Sequence, residues 1–92
     1  MQTIPDSYKQ AGHPMMLVKR DGAAVMYKAA HSDYWEVHQV RARPPERIMG
    51  WDYPEREVLA GNEDFGSYGW ACVSADRSER RYHEILVPVT TP

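Results

Sequence analysis

MMLVKRDGAAVMYK, Met15 to Lys28, decides the fold class, because two apolar runs flank Arg20-Asp21-Gly22. Asp-Gly accepts the positive φ angles of a tight hairpin turn, so MMLVK and AAVMYK read as antiparallel strands joined there. Toward the N-terminus, residues 1–14 are polar, carry Pro5, Gly12 and Pro14, and show no helical or strand period. They are expected to form a loosely ordered arm, leaving 15–92 as a single domain. Toward the C-terminus, YWEVHQVRAR (Tyr34 to Arg43) is rich in β-branched and aromatic residues and predicts a third strand. Trp35 and Val37 share one face of it, Val40 and Ala42 the other. Either both faces are partly covered, or a bulge near His38-Gln39 resets the phase. Pro44 and Pro45 then end the pairing, since neither can donate a ladder hydrogen bond.

EREVLA (Glu55 to Ala60) alternates charge with apolar residues and predicts a fourth strand, and Trp70 to Val73 a further short extended segment. Ser74 is an N-cap, Asp76 suits the positive end of a helix dipole, and SADRSERRYHEIL continues as a helix. Ala75, Ser78, Tyr82, Ile85 and Leu86 fall on one face of that helix, which Pro88 ends near Leu86. The tail VPVTTP reads as an edge segment or a frayed end. The fold class predicted is therefore α+β: a small antiparallel sheet of about four strands with one C-terminal helix packed on it.

A chain of 92 residues removes only about 60–65% of its unfolded surface from water, so its core is thin. Three tryptophans and six tyrosines stand against one phenylalanine, residues that bury a large body and keep a polar tip near water. Eleven basic and thirteen acidic residues leave a formal charge of −2, which is not the broad positive field of a general nucleic-acid binder. A lone Cys72 cannot form an internal disulfide, and a small domain without staples suits a reducing cytoplasm. No run approaches the ~20 apolar residues of a membrane span, and MQTIPDSYKQ has neither the basic start nor the apolar core of a secretion signal. Neither membrane contact nor export is expected.

The spacings G-x-S-x-G, H-E-x-x-H, C-x-x-C and the P-loop do not occur, so a non-enzymatic protein without cofactor is expected. Cys72 with His38 or His83 would be a nucleophile and base, but a cysteine among Trp70, Ala71 and Val73 reads as a small core residue. His13, His31, His38 and His83 are too scattered for a structural metal. Asn62, Glu63 and Asp64 offer oxygen ligands in a Gly-rich loop but lack the calcium-loop spacing, and they read as solvated turn residues.

Arginines outnumber lysines eight to three. Arg41 and Arg43 share a face of the third strand, and Arg77 and Arg81 stand one helical turn apart; their planar forks match carboxylates and phosphates. Glu36, Glu46, Asp76, Glu79 and Glu84 sit close by, as on a solvated face. GNEDFGSYGW, Gly61 to Trp70, holds three of the six glycines and three of the ten aromatics. The glycines let the loop fold back so that Phe65 and Trp70 cover the open sheet face or the helix seam. Trp51 and Tyr68, beside Gly- and Pro-rich turns, are the exposed contact anchors. The partner-binding set is thus Trp51, Tyr68, Arg41, Arg43, Arg77 and Arg81.

Glu36-Val37, Pro54 to Val58, Asn62 to Trp70 and Glu79 to Tyr82 follow an order that resembles a loose class of small phage- and plasmid-encoded proteins. In that class an E-V strand, a P-x-R-E-V strand and an N-E-x-F-G-x-x-G-W loop precede an E-R-R-Y/F helix. The pattern spans about half the chain and brings no catalytic residue with it. In size and lack of enzyme motifs the chain also looks like the anti-CRISPR proteins. That likeness implies stoichiometric binding to a host protein or ribonucleoprotein, most plausibly a CRISPR surveillance complex, which the protein would inhibit. The alternative is a nucleic-acid-binding accessory protein of a phage or plasmid, its arginines on phosphates and Trp51 and Tyr68 as stacking platforms. A sheet face left open by a single helix would be closed by a second copy in a homodimer.

Overall fold

A computed structural model describes residues 2–86; the tail VPVTTP lies outside them. Strands β1 (Ser7–Gln10), β2 (His13–Asp21), β3 (Ala24–Ala29) and β4 (Trp35–Gln39) form an antiparallel meander. The chain then leaves this sheet for β5 (Arg41–Arg43), β6 (Glu46–Ile48), β7 (Trp51–Tyr53) and β8 (Arg56–Val58). After a 3-10 turn at Asn62–Asp64 it returns as β9 (Gly69–Cys72), antiparallel to β4, and closes with helix α1 (Ala75–Leu86). The five-stranded sheet has the order β1-β2-β3-β4-β9; β5 pairs with β8, and β6 with β7. The fold is α+β, as the sequence predicts, with more strands than the four expected.

The hairpin at Asp21-Gly22 forms where predicted, with Asp21 opposite Ala24 and Gly22 at φ 57°. Its first strand carries a bulge between Leu17 and Lys19 that leaves Val18 half exposed. The bulge changes phase: Met15 and Leu17 face one core, while Lys19 and Asp21 face the helix. In β4 the alternation is regular, with no bulge at His38-Gln39, and both faces are covered. Trp35 and Val37 pack under α1, and Glu36 and His38 point into the other core. The predicted strand over 34–43 breaks at Val40, whose N–H bonds Ala23 O at 2.7 Å. That bond extends the pairing with β3 by one residue, after which the chain leaves the sheet and Arg41–Arg43 pairs with β8 instead.

Two cores result. Ala24, Met26, Val37, Cys72 and Tyr82 lie between sheet and helix, with Trp35, Trp70 and Ile85 at their edge. Ile4, Met15, Val25, Tyr27 and Ala29 lie on the opposite face, edged by Tyr8, Leu17, Tyr34, Val40 and Leu59. Helix α1 starts as expected: Ser74 Oγ accepts the Arg77 N–H at 3.2 Å. Ser78 and Tyr82 supply its buried face, whereas Ala75 and Leu86 are exposed. Tyr82 Oη donates to Asp21 Oδ2 at 2.6 Å, and Lys19 ties to Glu79 at 2.7 Å, so the helix is pinned to β2 by polar ends around an apolar middle.

The expected loose arm over 1–14 is corrected by the structure. Ser7–Gln10 pairs with β2, and Ala11-Gly12 make the turn with φ 51° and 83°. Residues 2–6 cross the second core: Gln2 bridges β8 through Gln2 N–H to Glu55 O and Glu57 N–H to Gln2 O, Ile4 is buried, and Pro5 O accepts the Tyr27 hydroxyl. Polar composition hid this segment because only Ile4 and Tyr8 turn inward. The premise for a homodimer, an open sheet face, fails for the same reason, since residues 2–6 and the stretch from Leu59 to Phe65 cover it. Among the described residues no helix is long and apolar enough to cross a membrane.

Candidate functional site

The loop from Gly61 to Trp70 is locked from within. Asp64 Oδ2 accepts the Gly61 N–H at 3.2 Å and Arg41 Nη2 at 2.7 Å, and these two donors hold its carboxyl below the ordinary range against the cost of burial. The Arg41 guanidinium also stacks over the Tyr68 ring at 4.1 Å. Among the described residues, Arg41 Nε is the one buried side-chain polar atom without a partner. Phe65 meets His38 edge to face at 5.7 Å, and Trp70 packs in the helix seam. Both residues therefore sit where the glycine-rich loop was expected to place them. At Gly69 a Cβ would lie 2.6 Å from Ala60 Cβ and 3.2 Å from the Phe65 ring. Gly69→Ala is expected to lower stability by about 1–3 kcal/mol, measured as a lower urea midpoint with an unchanged slope. A midpoint equal to that of the native chain would show that the loop does not need this close approach.

The six predicted contact residues fall in three places. Arg41 and Tyr68 clamp each other and Asp64. Arg43 and Trp51 belong to the unit built from β5–β8 and β6–β7, where Arg43 lies 3.7 Å from Glu46. Arg77 and Arg81 line a groove of about 330 Å³ between β9 and α1, together with Trp70, Ala71, Cys72, Arg80 and Glu84.

The β6–β7 hairpin was not predicted. Met49-Gly50 makes its turn with φ 51° and 83°, the same geometry as Ala11-Gly12. Neither alanine nor methionine signals a position with positive φ, as asparagine or aspartate would. Among the described residues the hairpin pairs only with itself, and its apolar side chains face water: Ile48 is 41% exposed, Met49 94%, Trp51 72% and Tyr53 41%. Its base is braced by Arg56, which bonds Glu46 Oε1 at 2.7 Å and covers the Tyr53 ring at 5.2 Å.

Sequence reasoning also missed a buried polar cluster. Glu36 and His38 are 1% and 2% exposed. Tyr8 donates to Glu36 Oε1, Tyr34 to Oε2 at 2.7 Å, and His38 Nε2 lies 3.1 Å from Oε1. The Ala60 N–H donates to His38 Nδ1 at 3.2 Å; that nitrogen is therefore an acceptor and the proton sits on Nε2, facing Glu36. Burial works against charge on Glu36, but donation by His38, Tyr8 and Tyr34 outweighs it and holds the carboxyl below its ordinary 4.5. The spacing Glu36-x-His38 on a strand, two residues and hence one face, was the available signal. Glu36 and His38 are closed to solvent, while Tyr8 and Tyr34 stand partly exposed at the edge of the core.

Cys72 and His38 stand on opposite faces of the sheet, the first under α1 and the second in the other core, so they form no nucleophile and base pair. Burial pushes the Cys72 thiol up, with Arg81 and Arg77 pulling less strongly the other way. Among the described residues no three His, Cys, Asp or Glu side chains are grouped as metal ligands. A further cleft of about 500 Å³ lies beside the β1–β2 turn, lined by Pro14, Met15, Ala29 and Tyr34 with His13 and His31. Compared with protein families, curated proteins and solved structures, the chain matches none.

Proposed function

We propose that the protein acts by stoichiometric binding to a protein partner and that the β6–β7 hairpin is its anchor. The observation that carries this reading is the exposure of Ile48, Met49, Trp51 and Tyr53 on a braced two-stranded arm. Aromatic and methionine side chains on a rigid base, rimmed by charge, are the anatomy of an interface hot spot. Arg47 and Asp52 supply that rim, 3.9 Å apart.

Electrostatics favours protein over nucleic acid for this surface. Residues 41–58 hold four arginines (Arg41, Arg43, Arg47, Arg56) and four carboxylates (Glu46, Asp52, Glu55, Glu57), a net charge of zero. A phosphate backbone calls for surplus positive charge. The specific form of the proposal is inhibition of a host defence complex of the CRISPR surveillance type, and it rests on the resemblance to phage and plasmid proteins.

The test is affinity capture of the tagged chain from host lysate, with and without nuclease, beside a Trp51→Ala variant. One multi-subunit host complex should be recovered in both samples, and the variant should bind it about 30-fold or more weakly. Recovery that vanishes with nuclease, or a variant that binds equally well, overturns the proposal.

A further inference from the structure

We propose that the groove between β9 and α1 binds an extended acidic segment of a partner protein, added as a strand to the outer edge of β9. This surface shares no residue with the β6–β7 hairpin, so it stands or falls separately from the function proposed above.

Among the described residues, strand β9 is terminal in the sheet order, with β4 on one side only. Gln39 N–H donates to Tyr68 O at 2.8 Å. The two-residue alternation of an antiparallel ladder then directs the backbone groups of Trp70 and Cys72 toward β4 and those of Gly69 and Ala71 outward. Gly69 O is taken by the Gly66 N–H at 2.7 Å, so the open edge begins at Ala71 and runs on to Val73, which is 68% exposed. Gly69 to Val73 contains no proline and no charge, the devices that usually close an edge to added strands.

The wall facing this edge is basic. Arg77 and Arg80 have no carboxylate within ion-pair distance among the described residues, and Arg81 is held by Glu84 at 2.7 Å while stacking over Trp70 at 4.8 Å. Glu79, the other carboxylate of the helix middle, is engaged by Lys19. Three arginines against Glu84 leave the groove at about +2, within a chain whose total is −2. Arg77 and Arg81 are four residues apart, about 6 Å along the helix. Alternate side chains of a strand repeat at about 6.6 Å, so carboxylates at two alternating positions meet the Arg77 fork and the Arg81 donors that Glu84 leaves free, while the backbone pairs with Ala71. Nucleic acid fits less well: the Trp70 face is occupied by Arg81, which leaves no free stacking platform in the groove.

The experiment titrates the full chain with an eight-residue peptide alternating glutamate and valine, followed by amide NMR shifts and fluorescence anisotropy. The Ala71 and Val73 amides should move, and Arg77→Glu with Arg80→Glu should weaken binding about tenfold or more while the helix signals persist. Peptides with lysine for glutamate, or with proline at the central valines, should not bind. An unmoved Ala71 amide, equal binding of the proline peptide, or tighter binding of a 12-nucleotide single-stranded RNA overturns the proposal. So does an Ala71 signal that shifts with protein concentration alone, which would assign the edge to a second copy. A response to peptide only after deletion of residues 87–92 would assign it to the chain's own end and overturn it equally.

Discussion

Glu36→Ala is expected to lower the unfolding free energy by about 3–5 kcal/mol, because it removes the shared acceptor of the buried His38 and the partly buried Tyr8 and Tyr34. For a 92-residue chain whose whole stability is roughly 5–14 kcal/mol, that is a large share. Glu36→Gln keeps the volume and one acceptor and should cost less, about 1–3 kcal/mol. The pH dependence separates charge from shape. The folded carboxyl titrates below its ordinary 4.5, so its contribution is present above that value and is lost as the pH falls through the lower folded value. Urea midpoints of the native chain should therefore fall between pH 5 and the acid limit more steeply than those of either variant. Equal acid slopes would show that Glu36 is not ionised in the fold.

Tyr27→Ala should cost a similar amount, about 3–5 kcal/mol, since the ring is fully buried where the two halves of the second core meet. It stands edge-on to Tyr8 at 4.7 Å and to His38 at 6.0 Å, and its hydroxyl donates to Pro5 O at 2.6 Å. Tyr27→Phe keeps the ring and loses only that bond, about 1 kcal/mol, or roughly 4–8 °C in Tm for a domain of this size. A Phe variant as unstable as the Ala variant would mean that tethering residues 2–6, not filling the core, is the ring's main contribution. Alkali supplies a second readout. Burial, reinforced by Asp6, pushes the Tyr27 hydroxyl up to about 12, and Tyr8, Tyr34 and Tyr82 are raised by burial and carboxylate neighbours. A raised folded value contributes stability that is complete below the ordinary pKa of 10 and is lost as the pH rises through the folded one. Unfolding above pH 10 should be steep, and less so without Tyr27.

What could be read in the sequence was local. The Asp21-Gly22 turn and the Ser74 cap each depend on residues within a few positions of one another, and each stands where predicted. So do the inward positions of Phe65 and Trp70, because glycines on either side specify how that loop folds. The failures share a cause. Residues 2–10 are held by partners as distant as Glu57, and polar residues at alternate positions conceal the two that turn inward. The Met49-Gly50 hairpin uses a turn residue with no propensity for positive φ. Glu36 and His38 are charged or polar residues in a core, legible only once Tyr8 and Tyr34 are known to converge on them. For the contact set, sequence placed arginines on shared faces but could not show that Arg41 is already spent on Asp64 and Tyr68 while Arg77 and Arg80 face an open groove.

Strand β4 gains its second neighbour late. Residues 40–68 separate it from β9, whereas β1 to β4 are joined by short turns. On a ribosome adding about 5–20 residues per second, 29 residues correspond to about 1.5–6 s. For that interval Tyr34 to Val40, a run of aromatic and β-branched residues of the kind that stacks into aggregates, has one bare edge. A carboxylate and an imidazole in the middle of that run, Glu36 and His38, make it a poor template for copies of itself. The charge that must be buried in the finished protein is thus also a guard on the nascent one.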